Sequence, residues 1–280
     1  MRHQLWLSLI LSVLAAAGAQ AQTLDRIRDS GSFRIGYRED AAPYSYQDTL
    51  GEAVGYSVDL CRTVAANVKE TLGLERMQVE YVPVTTEDRF QAVQDGRIDI
   101  LCGATTVTLS RRELVDFSLF TFIDGAGVLL RSDGPRDFEE LAGMKVGVRG
   151  ATTTEAALAD ALAQQGLAVE LVPVESHEDG LAKLQANEIQ AYFADRAILT
   201  WLLLGSGAGD LWLSERQFSY EPYALALARG DHDFRLLVDA TLSTLYRSGA
   251  IDRIFAAAFG PNARQSEVLR ALYVINALPK

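Results

Sequence analysis

Two segments of the chain, Val79-Glu-Tyr-Val-Pro-Val84 and Val169-Glu-Leu-Val-Pro-Val174, share five of six residues at a spacing of 90 positions. Each is followed by an amphipathic helical stretch and then by a short strand, and a further strand ending in arginine precedes each. These flanking strands are 33–38 and 97–102 in the first copy, and 145–149 and 188–193 in the second. The alternation predicts two β-α-β-α-β units, and therefore parallel α/β sheets with right-handed crossovers.

Two apolar extended runs, Ala126–Leu130 and Tyr223–Ala228, lie between and after the two units. We expect each run to cross from one unit to the other. Helical patterns at Asp233–Tyr246 and Ile251–Phe259 then return the chain to the first unit. The prediction is an α/β fold of two lobes joined by two hinge strands, with parallel-rich sheets, flanking helices and a cleft between the lobes. The predicted boundaries are 22–125 for the first part of the first lobe, 126–223 for the second lobe, and 224–280 for the segment that returns to the first lobe.

The charge balance excludes several classes of partner. The 280 residues carry 37 acidic against 26 basic side chains, a formal net charge of −11. A basic footprint for nucleic acid is absent, and adhesion to an anionic membrane is disfavoured. Two cysteines and three histidines supply no zinc-ligand spacing. We therefore expect no nucleic-acid partner, no metal and no cofactor.

The amino terminus has the three parts of a secretory signal. Arg2 and His3 are basic, Leu5–Ala17 is almost wholly apolar, and Ala19-Gln20-Ala21 is a small-x-small cleavage pattern. The apolar run is too short to span a bilayer comfortably. We predict a signal peptide over residues 1–21, cleavage after Ala21, and export to the periplasm.

Export bears on the two cysteines. Cys61 falls on the buried stripe of an amphipathic helix, and Cys102 ends the strand-like run Ile98–Cys102. An oxidising compartment permits a disulfide between them, which would add about 4 kcal/mol of stability in the chain-entropy model. The alternative is two buried thiols that act as small hydrophobic side chains. The bridge is favoured.

Candidate site residues follow from the ends of the predicted strands, because parallel sheets bind ligands beyond the carboxyl ends of their strands. The first lobe supplies Arg38 and the stretches 85–89 and 103–106. The second supplies the stretches 149–154 and 176–177, and Asp195. Arginines, threonine hydroxyls, one histidine and one carboxylate facing each other suit a small zwitterion with excess negative charge.

Two helix starts fit the capping-box pattern, Ser110-Arg-Arg-Glu113 and Thr152-Thr-Thr-Glu155. A helix that opens at Thr152 would direct free backbone N–H groups and its positive dipole end at the cleft, which suits a carboxylate. A capping box alone is structural more often than functional. Its position after a strand that ends in the cleft strengthens the functional interpretation.

Several short residue patterns in the sequence resemble those of a known family. The pattern Gly55-Tyr-Ser-Val-Asp-Leu60, the run Cys102-Gly-x-Thr-Thr106 with Arg111, and the run Val146-Gly-Val-x-x-Ala-Thr-Thr-x-Glu155 are similar to the family 3 extracellular solute-binding proteins of ABC importers. The glutamate/aspartate-binding branch is the most similar. The resemblance covers essentially the whole mature chain. It implies the two-lobed periplasmic-binding-protein fold, a monomer, L-glutamate or L-aspartate as ligand, and a membrane-embedded ABC permease as partner.

The resemblance also implies roles for single residues. Arg111 would bind the ligand's α-carboxylate, assisted by Thr106 and by Thr152 and Thr153, and Asp195 would accept the α-ammonium. Four positions would surround the acidic side chain: Arg38, Thr86, Arg89 and His177. Arginine suits such roles because its planar fork matches a carboxylate with two hydrogen bonds.

The sequence departs from that branch at several positions. Ala104 stands where serine is usual, so only backbone can contribute there, and Leu101 stands where glutamate is common. Ala151 replaces the usual glycine before Thr152, and Val107-Thr108 replaces an asparagine pair. These departures bear on ligand preference and affinity.

Some alternatives stay open. An enzyme on the same scaffold, similar to periplasmic cyclohexadienyl dehydratases, would use Asp195 or Glu175 as a general acid, and a ligand-sensing module is a third class. No GxSxG, HExxH, P-loop or GxGxxG motif occurs. One arginine of the cleft could pair with Glu39, Asp40 or Asp88 instead of a ligand. A protonated His177 would make affinity weaken as the pH rises.

Overall fold

The structure, a computed structural model, describes residues 23–279. The predicted signal peptide and its cleavage site therefore lie outside the described residues. The helices are α1 (Thr23–Ser30), α2 (Tyr56–Thr71), α3 (Arg89–Gln94), α4 (Leu109–Leu114), α5 (Thr153–Gln165), α6 (His177–Gln185), α7 (Arg196–Ser206), α8 (His232–Ser248), α9 (Ile251–Phe259) and α10 (Glu267–Asn276). A short 3₁₀ turn covers Glu139–Leu141.

The strands form two five-stranded sheets and one small sheet. In chain order they are β1 (Ser32–Tyr37), β2 (Asp40–Ala41), β3 (Ser45–Gln47), β4 (Ala53–Val54), β5 (Gln78–Pro83), β6 (Ile100–Cys102), β7 (Asp116–Asp124), β8 (Ala126–Arg131), β9 (Lys145–Val148), β10 (Glu170–Pro173), β11 (Ala191–Asp195), β12 (Leu211–Leu213) and β13 (Glu221–Leu227). The large sheets have the orders β5-β1-β6-β13-β7 and β10-β9-β11-β8-β12, and the small sheet has the order β2-β3-β4.

The sequence repeat is a structural repeat. β1 pairs in parallel with β5 and β6, and β9 pairs in parallel with β10 and β11. The two remaining strands of each sheet are antiparallel to their neighbours. Each lobe thus has a three-stranded parallel half, and the predicted two-lobed α/β fold is confirmed. Helices flank both sheets, with α2 and α8 on the first, and α5, α6 and α7 on the second.

The chain crosses between the sheets at the beginnings of the two runs that we expected to cross. Both runs are strands within the sheets, β8 in the second and β13 in the first. The crossings are Gly125, and the residues between β12 and β13. They touch, because a Cβ placed on Gly125 would lie 2.3 Å from the carbonyl oxygen of Ser219. The hydroxyl of Ser219 accepts a hydrogen bond from the backbone N–H of Ala126 at 3.0 Å.

A disulfide joins Cys61 on α2 to Cys102 at the end of β6. It ties the first long helix to the central strand of the first sheet, beneath the cleft edge where β6 ends. The bridge favoured from the sequence is present. Within residues 23–279, no helix combines the length and the apolar character that a membrane crossing needs.

Candidate functional site

The parallel strands of both sheets end at one cleft. Nine of the ten predicted ligand-binding residues line it: Arg38, Arg89, Ala104, Thr106, Arg111, Thr152, Thr153, His177 and Asp195. The tenth, Thr86, is buried and donates its hydroxyl hydrogen bond to Glu87 at 2.7 Å, and it is not part of the cleft lining. The strand-end rule therefore brings together residues that are far apart in the chain.

Arg89 and Arg111 lie against the same aromatic ring. Their guanidinium carbons are 5.0 and 5.3 Å from the ring centroid of Phe90. Arg111 also donates a hydrogen bond from Nη1 to the backbone carbonyl of Thr106 at 2.9 Å. Burial lowers the pKa of Arg111, and the nearby carboxylates of Glu221 and Asp195 oppose that shift. The contacts hold both guanidinium groups in the cleft with little freedom to swing out.

Arg89 is a buried cation that has no carboxylate partner in the part of the chain that the structure describes. It is only 3% exposed, and its one hydrogen bond goes from Nη2 to the carbonyl oxygen of Ala151 at 3.3 Å. Its Nε is buried and has no partner among residues 23–279. Burial, with Arg111 and Arg38 nearby, lowers the pKa of Arg89 to about 9, so the side chain is still charged at neutral pH. A buried charge of this kind is costly until an anion meets it.

Arg38, by contrast, has an acid partner. Its Nη2 donates to Oδ1 of Asp40 at 2.6 Å, and the other oxygen of Asp40 accepts from Arg149 of the second lobe. Burial would raise the pKa of Asp40, but its neighbours, with Arg38 foremost, lower it below the usual carboxyl range. The alternative left open from the sequence, in which an arginine pairs with Asp40, therefore holds for Arg38.

His177 is a neutral side chain in this structure. Its Nδ1 lies 2.6 Å from the hydroxyl oxygen of Tyr192, and the residue is buried. Burial, with Arg38 and Arg149 nearby, lowers the pKa of His177 to about 3, against the opposing influence of Asp40. In this ligand-free structure the two arginines and the loss of solvent both disfavour the imidazolium, and protonation of His177 with a ligand bound stays a prediction.

The other end of the cleft is acidic. Asp195 accepts a hydrogen bond from the Thr154 hydroxyl at 3.0 Å. Asp124 accepts from the Tyr44 hydroxyl at 2.7 Å and from the backbone N–H of Gly125 at 2.8 Å. Burial raises the pKa of both carboxyls, and repulsion from a neighbouring acid adds to each shift, from Asp124 at Asp195 and from Glu221 at Asp124. A cation bound at Asp195 would relieve that repulsion.

Glu221 connects the two lobes beside this acidic end. The residue is 2% exposed, and its Oε2 accepts hydrogen bonds from the hydroxyls of Thr106 and Thr153, the latter at 2.6 Å. Thr106 follows a strand of the first sheet, and Thr153 begins α5 on the second. The two hydroxyl oxygens are themselves 3.0 Å apart. With the Asp40–Arg149 pair, these contacts close the lobes on each other.

Helix α5 begins at the cleft as predicted. Thr152 is its N-cap and accepts from the backbone N–H of Glu155 at 3.0 Å, and the Glu155 carboxylate accepts from the N–H of Ala151 at 3.0 Å. Ala151 has φ +57°, a left-handed conformation that glycine adopts more easily. The predicted cap at Ser110 is wrong, since Thr108 caps α4 by accepting from the N–H of Arg111 at 3.1 Å.

Sequence reasoning missed the residues that partner the predicted ones. Arg149 belonged to the strand-end stretch 149–154 and Asp40 was named as a possible partner of a cleft arginine, but neither was predicted to bind the ligand. Asp124 and Glu221 lie where β7 ends and β13 begins. The signal for them was the antiparallel direction of β13, because a strand antiparallel to β6 begins at the edge where β6 ends.

These features define a class of protein. The molecule has two α/β lobes, two short crossings and a cleft with a basic and an acidic end, which is the design of a protein that closes around a small zwitterion. Among residues 23–279 no cluster of three or more side chains is arranged to hold a metal ion.

Residues 33–261 match the bacterial extracellular solute-binding proteins, family 3, and the chain belongs to that family. Two curated relatives extend the match. A glutamate/aspartate import solute-binding protein of Salmonella typhimurium is 31% identical over 85% of this chain and 80% of its own length. An L-glutamate/L-aspartate-binding protein of Pseudomonas aeruginosa is 30% identical over 88% of this chain and 82% of its own.

A solved structure shares the architecture. The crystal structure of an ancestral amino acid-binding protein, described as a precursor of cyclohexadienyl dehydratase, superposes with a TM-score of 0.74 at 25% identity. The superposition covers 85% of this chain and 99% of the ancestral protein's chain. The family resemblance seen in the sequence is thus confirmed.

Proposed function

We propose that this protein is a periplasmic solute-binding protein that captures an acidic L-α-amino acid, glutamate or aspartate, and delivers it to an ABC permease. The family supports the transport role, and the two curated relatives support the ligand class by their names. Export and a monomeric state belong to the same proposal. So does the division into lobes at 22–125, 126–223 and 224–280, which the membership of the strands in the two large sheets supports except at residues 221–223, since these belong to β13 of the first sheet.

The α-amino acid group would bind at the acidic end. Arg111 offers its guanidinium fork to the α-carboxylate, and the backbone N–H groups of the first turn of α5 add donors. Thr106 would assist when its hydroxyl turns from Glu221, to which it donates in this structure, to the ligand. Asp195, with its raised pKa, would accept the α-ammonium and ionise as it does so. A zwitterion supplies a carboxylate for Arg111 and an ammonium group for Asp195.

The observation that carries the proposal is Arg89. It is buried, charged at neutral pH and without a carboxylate partner among the described residues. A ligand side chain that ends in a carboxylate would pair with it, whereas an apolar or cationic side chain would leave it unpaired. An acidic amino acid therefore fits this cleft better than other amino acids.

The test is a thermal-shift panel of the twenty L-amino acids with D-glutamate and glutarate, which lacks the amine. A ligand at about 100 times its dissociation constant stabilises the folded chain by about 2.7 kcal/mol, or several degrees. We expect L-glutamate and L-aspartate to give the largest shifts and glutarate to give none. An equal or larger shift with arginine or leucine would contradict the ligand class.

A second candidate is an enzyme that uses Asp195 as a general acid. The raised pKa of Asp195 favours it, because a protonated carboxyl in a cleft can donate a proton, and one structural neighbour is described as a precursor of a dehydratase. Incubation with prephenate or arogenate, analysed by mass spectrometry, distinguishes the two. Release of water and carbon dioxide by the wild type and not by Asp195→Asn would support the enzyme.

A further inference from the structure

The basic end of the cleft is lined by Arg38, Arg89, Arg149 and His177, and Asp40 contacts two of these arginines. Among residues 23–279, Asp40 is the carboxylate that forms ion pairs with these guanidinium groups, at Arg38 and Arg149, and the charge of Glu87 acts on Arg38 and Arg89 without pairing with either. The side chain of Asp40 is 13% exposed, and those of Arg38 and Arg149 are 5% and 11% exposed, so all three are shielded from water. Both oxygens of Asp40 are engaged, one by each arginine.

From this arrangement we infer that Asp40 determines the specificity of the cleft. Its carboxylate is a built-in anion that holds Arg38 and Arg149, and it leaves Arg89 as the guanidinium of this end that lacks a carboxylate partner among residues 23–279. The inference rests on the proposed function, since it concerns how the same cleft ranks acidic amino acids against their amides.

The consequence follows from charge. Without Asp40, a ligand carboxylate would meet three arginines, and a neutral amide would be strongly disfavoured. With Asp40 in place, the ligand carboxylate meets Arg89 and also a second carboxylate nearby, and like charges in a shielded site repel. Neutral His177 adds no positive charge that would offset Asp40. Asp40 therefore reduces the preference of the cleft for acidic amino acids over their amides, and the part of that preference due to Arg89 remains.

Asp40 has a second role that the test has to separate. Its bond to Arg149 joins the lobes, so removing it also weakens closure. Weaker closure reduces the affinity of every ligand by the same factor, because every ligand needs the same closed form. The ratio of the glutamine and glutamate dissociation constants cancels that factor and reports the charge effect alone.

The experiment is calorimetry of L-glutamate and L-glutamine binding to the wild type, Asp40→Asn and the control Glu39→Gln. Glu39 is an exposed acid one residue away, so the control removes the same formal charge outside the cleft. We expect Asp40→Asn to raise the ratio by about tenfold, equivalent to about 1.4 kcal/mol, and Glu39→Gln to change it by less than about twofold.

An unchanged or lower ratio in Asp40→Asn, with both ligands still binding, would overturn the role of Asp40 and leave the proposed function standing. Failure of the wild type to bind any acidic amino acid or amide would overturn both. Should Asp40→Asn not fold, because two buried arginines lose their partner, the double variant Asp40→Asn/Arg149→Gln removes the pair together. Arg38 is then free for a ligand, and the ratio must still exceed that of the wild type.

Discussion

Asp124 and Glu221 lie directly opposite each other where β7 and β13 pair, at the point where the chain passes between the lobes. Two carboxylates at a crossing would repel each other in the absence of partners. Here Asp124 accepts hydrogen bonds from the Tyr44 hydroxyl and from the backbone N–H of Gly125. Glu221 accepts hydrogen bonds from hydroxyls of both lobes. The hinge and the acidic end of the cleft are therefore one structure, and ligand charge and lobe closure are coupled there.

Asp195→Asn tests this coupling. The variant should lose amino-acid binding by about 2–5 kcal/mol, because the α-ammonium loses its carboxylate. It should not lose stability, since a neutral amide next to Asp124 removes a repulsion. Calorimetry and thermal unfolding of the ligand-free chain measure the two effects. Asp160→Asn, on the exposed side of α5, is the control. A marked drop in melting temperature would contradict this description of the acidic end.

The same carboxyls predict how stability depends on pH. A carboxyl whose pKa is raised by folding holds its proton more tightly in the folded chain than in the unfolded one. Its contribution is present below the unfolded pKa and is lost as the pH rises through the folded value. Because Asp195 and Asp124 both have raised pKa values, the ligand-free melting temperature should fall as the pH rises above the ordinary carboxyl range. Asp195→Asn should flatten that dependence, and a slope unchanged by the substitution would contradict the assignment.

Gly125→Ala should destabilise the protein by about 1–3 kcal/mol, the usual cost of forcing atoms into a filled space. Its Cβ would lie 2.3 Å from the Ser219 carbonyl oxygen, which belongs to the other crossing and cannot move freely. Gly209→Ala, where no atom lies within 4 Å of the new Cβ, is the control. Equal melting temperatures for the two variants would show that the crossings are not in such close contact.

Ala151→Gly should be neutral or stabilising by up to about 1 kcal/mol, because glycine adopts the left-handed conformation of this residue without strain. Ala159→Gly, at an exposed position within α5, should instead cost about 1 kcal/mol. Chemical denaturation of both variants measures the difference. A loss of stability at Ala151 equal to that at Ala159 would mean that the left-handed conformation costs alanine nothing here.

The sequence predicted the scaffold well because the determinants of the scaffold are local and repeated. The duplicated Val-Glu-x-Val-Pro-Val segments mark equivalent strands, and the strand-end rule then selects Arg38 and Asp195 from opposite halves of the chain, whereas Arg111 was indicated by the family resemblance alone. The pairing of Asp40 with both Arg38 and Arg149 could not be predicted, because several acids lie near Arg38 in the sequence. The neutral state of His177 depends on burial among residues from both lobes, which no local pattern reports.

The proposed selection of an acidic amino acid by Arg89 can be tested by one calorimetric comparison. L-glutamate and L-glutamine are titrated into the wild type and into Arg89→Met, a variant that keeps side-chain bulk and removes the charge. We predict that the wild type binds glutamate at least about tenfold more tightly than glutamine, a gap of about 1.4 kcal/mol, and that Arg89→Met narrows the gap. Equal binding of the two ligands by the wild type, or an unchanged gap in Arg89→Met, would contradict the claim.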